Sequence, residues 1–190
     1  VIGTIDTVNQ DENGITSIET REQQHFRADL FIDCSGLKSL LLGETLGAKF
    51  IDKSDQLFID SAVAVQAPYA SNTSPILPYT VAHAQDAGWI WDIGLYSRKG
   101  IGHVYSSRHM SEDQATAILA NYVGEGFDTL TPRKLTIPCG YREKFWIKNC
   151  VAIGMAAGFI EPLESTAIHL VVRGMVHFMR HFPDKDLSQP

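Results

Sequence analysis

Short apolar runs separated by polar breaks fill most of this chain, and a helical period replaces them in only a few places. Residues 1–8 alternate loosely and predict a strand. Residues 9–14 (NQDENG) predict a turn, because Asn, Asp and Gly tolerate left-handed backbone; residues 15–20 are the return strand. The apolar run 28–34 (ADLFIDC) has the length of a buried strand, closed by Ser35-Gly36, and residues 37–46 predict a short helix. Further strands are expected at 56–66, 79–84, 88–95, 102–107, 135–138 and 150–154. A Pro-, Ser- and Asn-rich loop is expected at 68–78.

Two helices stand out. Ser111 precedes Glu112, Asp113 and Gln114, so it predicts an N-cap with acids in the first turn and a helix to about residue 122. Residues 165–182 form the clearest helix. Its strongly polar positions, His169, Arg173, His177, Arg180 and His181, share one stripe, and Pro183 ends it. The whole pattern is α/β: a βα unit at the front, strands in the middle, and a strand-loop-helix at the back.

Composition narrows the class. Hydrophobic residues are 44% and charged residues 20%, a mix able to bury a core, and the formal net charge is −6. The absence of a basic run argues against a nucleic-acid partner, which needs clustered Lys and Arg. The apolar stretch 150–163 is interrupted by Gly154, Gly158, Glu161 and Pro162, so no membrane span is expected. Cys34, Cys139 and Cys150 form no CxxC pair, which disfavours a zinc site. Cys34 and Cys150 lie in apolar runs and are expected to be buried, and a reducing cytoplasm suits such a chain. The chain starts without Met and stops after an apolar helix pattern, so it is expected to be an internal fragment.

The segment 150–170, CVAIGMAAGFIEPLESTAIHL, carries the candidate chemistry. A buried strand ends at Gly154; the small residues Ala156, Ala157 and Gly158 would let a ligand approach the backbone. A helix start near Ser165-Thr166 offers unpaired N–H groups and a positive dipole end, which favour an anion. Glu161 and Glu164 stand beside it. The plain alternative is an ordinary strand-to-helix junction with favourable acidic charge.

Six segments in order resemble the flavin-dependent tryptophan halogenases. GFIEPLEST (158–166) is the strongest, after ADLFIDCSGLKSLLL (28–42), DSAVAV (60–65), GWIWDI (88–93), VYSS (104–107) and WIKNCVAIG (146–154). The resemblance covers essentially the whole chain. It implies part of an FAD-dependent monooxygenase-like fold, a Rossmann-type FAD module joined to a substrate-region β-sheet. Residues 1–50 would belong to the FAD module, 51–140 to the substrate-region sheet with one helix, and 141–190 to the FAD module again.

The implied chemistry uses reduced FAD, O2 and chloride or bromide to halogenate tryptophan or a related indole. A separate flavin reductase supplies the reduced FAD, and a homodimer is compatible with this reading. By the same resemblance Glu164 and Ser165 are catalytic, with Glu164 binding substrate and helping to place the electrophile. Thr166 and Ala167 would hold the halide through backbone N–H groups. Met155 and Ile168 would contact flavin. Trp89 and Trp91 would screen the flavin chemistry so that monooxygenation does not compete; being two apart, they share one strand face. This chain departs from the family at Gly94, where Pro is usual, and at Ala167, where Gly is usual.

The GxGxxG phosphate cradle and the family's catalytic Lys match nothing here, and neither Lys38 nor Lys53 fits that motif. The 190-residue piece alone is therefore expected to be inactive. An FAD-dependent hydroxylase and a non-catalytic remnant of a truncated gene are the alternatives. His177 and His181 have i, i+4 spacing but no third ligand, so no metal is expected. Asp33 and Ser35 make no GxSxG elbow. Arg98, Lys99 and Arg108 read as surface charge.

Overall fold

The computed structural model describes residues 2–71, 73–163 and 166–182. Along the chain come β1 (Ile5–Asp11), β2 (Gly14–Thr20), β3 (His25–Phe26), β4 (Phe31–Asp33) and β5 (Phe50–Asp52). Next are β6 (Ser61–Ala67), β7 (Val81–Gln85), β8 (Gly88–Gly94), β9 (Lys99–Tyr105) and α1 (Glu112–Val123). The last are β10 (Arg133–Thr136), β11 (Gly140–Arg142), β12 (Trp146–Ile147), β13 (Cys150–Ala152), β14 (Gly158–Phe159) and α2 (Thr166–Arg180). These form two compact units. One comprises the residues up to Lys53 with those from Cys139 onward; the other runs from Ser54 to Pro138.

The first unit contains three small sheets, ordered β1-β2-β3, β14-β11-β5 and β12-β13-β4. The β1–β2 turn closes because Asp11 Oδ1 accepts the N–H groups of Asn13 and Gly14 at 2.7 and 3.2 Å. β13 and β4 are parallel, with Cys150, Val151 and Ala152 opposite Phe31, Ile32 and Asp33. Such a pairing joins residues far apart in sequence and buries Phe31, Cys150 and Ala152 with Ile15, Leu41 and Leu42 in one core.

The expected helix at 37–46 takes a different form. Gly36–Lys38 is a 3-10 turn and Leu40–Thr45 a π turn, joined through Ser39 in the left-handed region at φ 49°. Asp33 is the cause. Its buried Oδ2 accepts the N–H groups of Leu41 and Leu42 at 3.0 and 2.9 Å, and its Oδ1 accepts Ser35 N–H and Oγ–H at 2.9 and 2.5 Å. A carboxylate drawing in those donors bends the chain around itself. Cys34, expected to be buried, is exposed, because alternation along β4 turns Phe31 and Asp33 inward and leaves Cys34 on the outward side with Ile32.

The second unit is built on an antiparallel sheet ordered β10-β6-β9-β8-β7. Alternation sorts its side chains onto two faces. Val63, Val65, Ile90, Ile101 and Tyr105 pack with Ala115 and Leu119 of α1. Ala62, Ala64, Gly100, Gly102, Val104, Trp89 and Trp91 take the alternate positions. Ser111 makes the capping box of α1: its Oγ accepts Gln114 N–H at 3.3 Å, and Gln114 Oε1 accepts Ser111 N–H at 2.9 Å. Lys99, read as surface charge, instead donates from Nζ to the buried Asp92 Oδ2 at 2.6 Å. It sits diagonally from Asp92 on the face that α1 covers, where an unpaired carboxylate would be costly.

The observed strands β3, β5, β11, β12 and β14 are two or three residues long, too short for alternation to mark them. β6 starts at Ser61 and β9 at Lys99, shifted from their expected starts by the sheet's register. Among the described residues, no helix is long and apolar enough to cross a membrane.

Candidate active site

The carboxyl ends of parallel strands are the usual ligand-binding rim of α/β sheets. Here β4 and β13 end side by side, and the turns that follow them, Gly36–Lys38 and Gly154–Ala156, pack against each other. Gly154 has φ +67°, a conformation that favours glycine. A side chain there would meet only Val171 Cγ2 at 3.8 Å, so the backbone of this turn is open to close approach. Ala156 is buried and anchors the turn, which leaves Met155 50% exposed.

From there the chain forms β14, pairs with β11, and enters α2 at Thr166. Ala167 is half-buried and Ile168 is 66% exposed. Met155, Ala167 and Ile168 line one groove of about 900 Å³, whose other walls include Tyr141, Phe145 and Phe178. The structure thus brings together three of the residues named from sequence. The groove is overwhelmingly apolar; Arg173, His177 and His181 are the basic side chains in its lining. His177 and His181 stack at 6.3 Å, and no cluster of three or more metal-binding side chains occurs among the described residues.

Thr166 heads α2. Its hydroxyl donates to Leu163 O at 2.9 Å, so at this helix start only backbone N–H groups remain as anion donors from Thr166 and Ala167. Ala167 lies within the helix. It is not among the non-glycine residues with positive φ, which in the described chain are Gln23, Ser39 and Lys148. The alanine is therefore accommodated without backbone strain. Glu164 and Ser165 lie outside the described residues.

Trp89 and Trp91 belong to the other unit, on β8, at alternate positions to Ile90 and the α1 core. Both are half-buried. Gly94 ends β8 without a left-handed φ. A side chain there would press on Tyr69 Oη at 3.1 Å and Ile76 at 3.2 Å, and Tyr69 Oη–H donates to Leu95 O at 2.9 Å. Packing of Tyr69 and Ile76 holds this turn in place of a proline ring.

One group near the rim was missed by sequence reasoning, the Asp33 carboxylate; Cys150 beside it is buried, as expected. Burial opposes ionisation of Asp33, but hydrogen bonds from Ser35, Leu42 and Leu41 outweigh it and hold the carboxyl below its usual range. Cys150, beside it, is pushed up to about 12, mainly by burial and then by the Asp33 charge, so its thiol stays protonated and inert. Neither property is visible without the parallel pairing of β4 with β13.

The chain matches the tryptophan halogenase family over residues 1–190. It is 39% identical to the tryptophan 7-halogenase of Lentzea aerocolonigenes over 185 residues, covering 97% of this chain and 35% of that protein. Among solved structures, the tryptophan halogenase of Shewanella frigidimarina superposes with a TM-score of 0.87 at 43% identity, over 97% of this chain and 36% of that one. A flavin-dependent halogenase from Xanthomonas campestris gives 0.84 at 40%, over 96% and 37%. The α/β fold is thus that of a segment of flavin-dependent halogenases. The chain belongs to the tryptophan halogenase family and spans about a third of the length of these relatives.

Proposed function

We propose that this chain supplies the halide and substrate end of the active site of a flavin-dependent halogenase acting on tryptophan or a related indole. The carrying observation is that Met155, Ala167 and Ile168 meet in one apolar groove between the open Gly154 turn and the start of α2, in a chain of this family. Exposed apolar side chains flanking an accessible backbone suit the edge of a planar ring, so the residues present fit FAD. Reduced FAD, delivered by a separate flavin reductase, would supply the oxidising chemistry with O2 and chloride or bromide.

The chain's own residues then divide the work. Met155 and Ile168 bound the ring and exclude water. The backbone N–H groups of Thr166 and Ala167, at the positive end of a 15-residue helix, hold the halide. Glu164 and Ser165 immediately precede that segment in the sequence. A carboxylate at Glu164 would orient the substrate and stabilise positive charge developing on its ring. Trp89 and Trp91 would screen this chemistry from the competing transfer of oxygen. In this reading the first unit belongs to the FAD module and the second is the substrate-region sheet.

The test is the full-length protein with a flavin reductase, FAD, bromide or chloride, and a panel of indoles. Halogenated product that is lost in Glu164→Gln supports the reading. Hydroxylated product alone moves the case to an aromatic hydroxylase, and no product at all to a non-catalytic remnant. The 190-residue chain by itself should show no turnover, since GxGxxG and the family's lysine motif are not in it.

A further inference from the structure

Trp91 and Gly102 are direct partners across the β8–β9 ladder. The six-membered ring of the indole lies over the glycine. A Cβ built on Gly102 would stand 2.7 Å from Trp91 Cε2 and closer still to Cζ2 and Cη2. No alanine fits there unless the indole moves. Gly102 has no left-handed φ, so backbone conformation does not demand glycine. Its lack of a side chain is what the indole uses.

Gly100, on the same strand face, is different. A Cβ there would meet only Arg98 Nη1, at an ordinary 3.9 Å. Around the pair the floor is small. Ala64 stands opposite Gly102 on β6, and Ala82 opposite Trp91 on β7. The side chains directly flanking Trp91 across the ladder are therefore a missing one and a methyl, and the depth to which the ring settles is set at Gly102.

We propose that Gly102 is a positioning residue for Trp91: by lacking a Cβ it lets the indole lie across β9, and so sets the height and tilt of the ring. The functional half of this inference rests on the reading of Trp91 as a screen for flavin chemistry. A purely structural version exists, since a cross-strand aromatic commonly stabilises a glycine in a sheet. That version affects stability but not the division between products.

The experiment compares wild type, Gly102→Ala, Gly100→Ala, Trp91→Phe and the Trp91→Phe/Gly102→Ala double variant in the full-length enzyme. Near-UV circular dichroism reads the indole, and the amount of halogenated product per reduced FAD oxidised reads the screen. Gly102→Ala should change the part of the spectrum that Trp91→Phe removes. It should also lower the halogenated yield per FAD by on the order of ten- to a hundredfold, the usual size of an ångström-scale misplacement. Gly100→Ala should do neither. In the Trp91→Phe background the Gly102 substitution should add little, because the smaller ring leaves room.

An unchanged spectrum and yield in folded Gly102→Ala overturns the proposal, as does an equal loss in both backgrounds. If Gly102→Ala does not fold, recovery of the fold by the double variant supports it and failure of both overturns it. If Trp91→Phe leaves the yield unchanged in an active enzyme, the screening reading fails, while the spectrum still decides whether Gly102 seats the ring.

Discussion

Asn149 is hydrogen-bonded to both backbone groups of Ile15. Its Oδ1 accepts Ile15 N–H at 2.8 Å and its Nδ2 donates to Ile15 O at 2.9 Å, across 134 residues of sequence. One side-chain amide thus extends the backbone of β2, fastening the β1–β2 hairpin to the residue that enters β13. Ile15 is 2% exposed, so its backbone groups lie largely out of reach of bulk water. Asn149→Ala should destabilise the protein by about 2 kcal/mol or more, the cost of two buried unpaired backbone groups. Asn149→Asp keeps only the acceptor and should be destabilising as well. Denaturant unfolding measures both.

Asp33 predicts acid sensitivity. Its carboxyl lies below its unfolded value, so its stabilisation is present above the unfolded pKa, about 3.9, and is lost as pH falls through the folded value. Asp33→Asn should remove that part of the acid transition. It should also loosen the segment 35–45, since the single amide oxygen of Asn can accept from Leu41 and Leu42 or from Ser35, but not from both sides at once. Hydrogen exchange at the amides of Ser35, Leu41 and Leu42 reads which set is released.

His103 predicts a second, milder dependence. It is fully buried; Nδ1 faces Ala115 O at 3.1 Å and must donate, and Nε2 has no partner among the described residues. Burial holds its pKa below the ordinary histidine value against the weaker opposing effect of the Ala115 carbonyl. The unfolded chain therefore takes up a proton first, and stability should decline as pH falls below about 6.5. His103→Leu should flatten that decline, read as the midpoint of denaturant unfolding between pH 7.5 and 5.

Thiol chemistry should separate the cysteines. Cys34 is exposed, whereas Cys139 and Cys150 are buried and the Cys150 thiol is pushed up to about 12. Alkylation at pH 8 followed by peptide mapping should mark Cys34 first and the others only after denaturation.

Thr166 predicts a null result at the proposed halide site. Its hydroxyl is committed to Leu163 O, and only its N–H is assigned to the anion. Thr166→Val should cost about 1 kcal/mol of stability and leave the halide KM unmoved in the full-length enzyme. A large rise in that KM would show that the hydroxyl binds halide.

Local chemistry wrote much of this protein into its sequence. The Ser111–Gln114 capping box, the turn at Asp11–Gly14, the helix of residues 166–180 and the alternation of β8 follow from side chains acting on their own backbone, within a few residues. The EPLEST string pointed to the family, and with it to Met155, Thr166, Ala167 and Ile168. Only tertiary structure decided the rest. The parallel pairing of β4 with β13 buries Asp33 beside Cys150; Asp33 turns an expected helix into a π turn, and its charge adds to burial in keeping the Cys150 thiol protonated. The register of β8 on β9 sets Gly102 beneath Trp91. Such contacts join residues that no local period relates, because burial and register are properties of the packed chain. The segment 154–168 was legible as a sequence; the groove that gathers Met155 with Ala167 and Ile168 exists only once α2 folds back over the Gly154 turn.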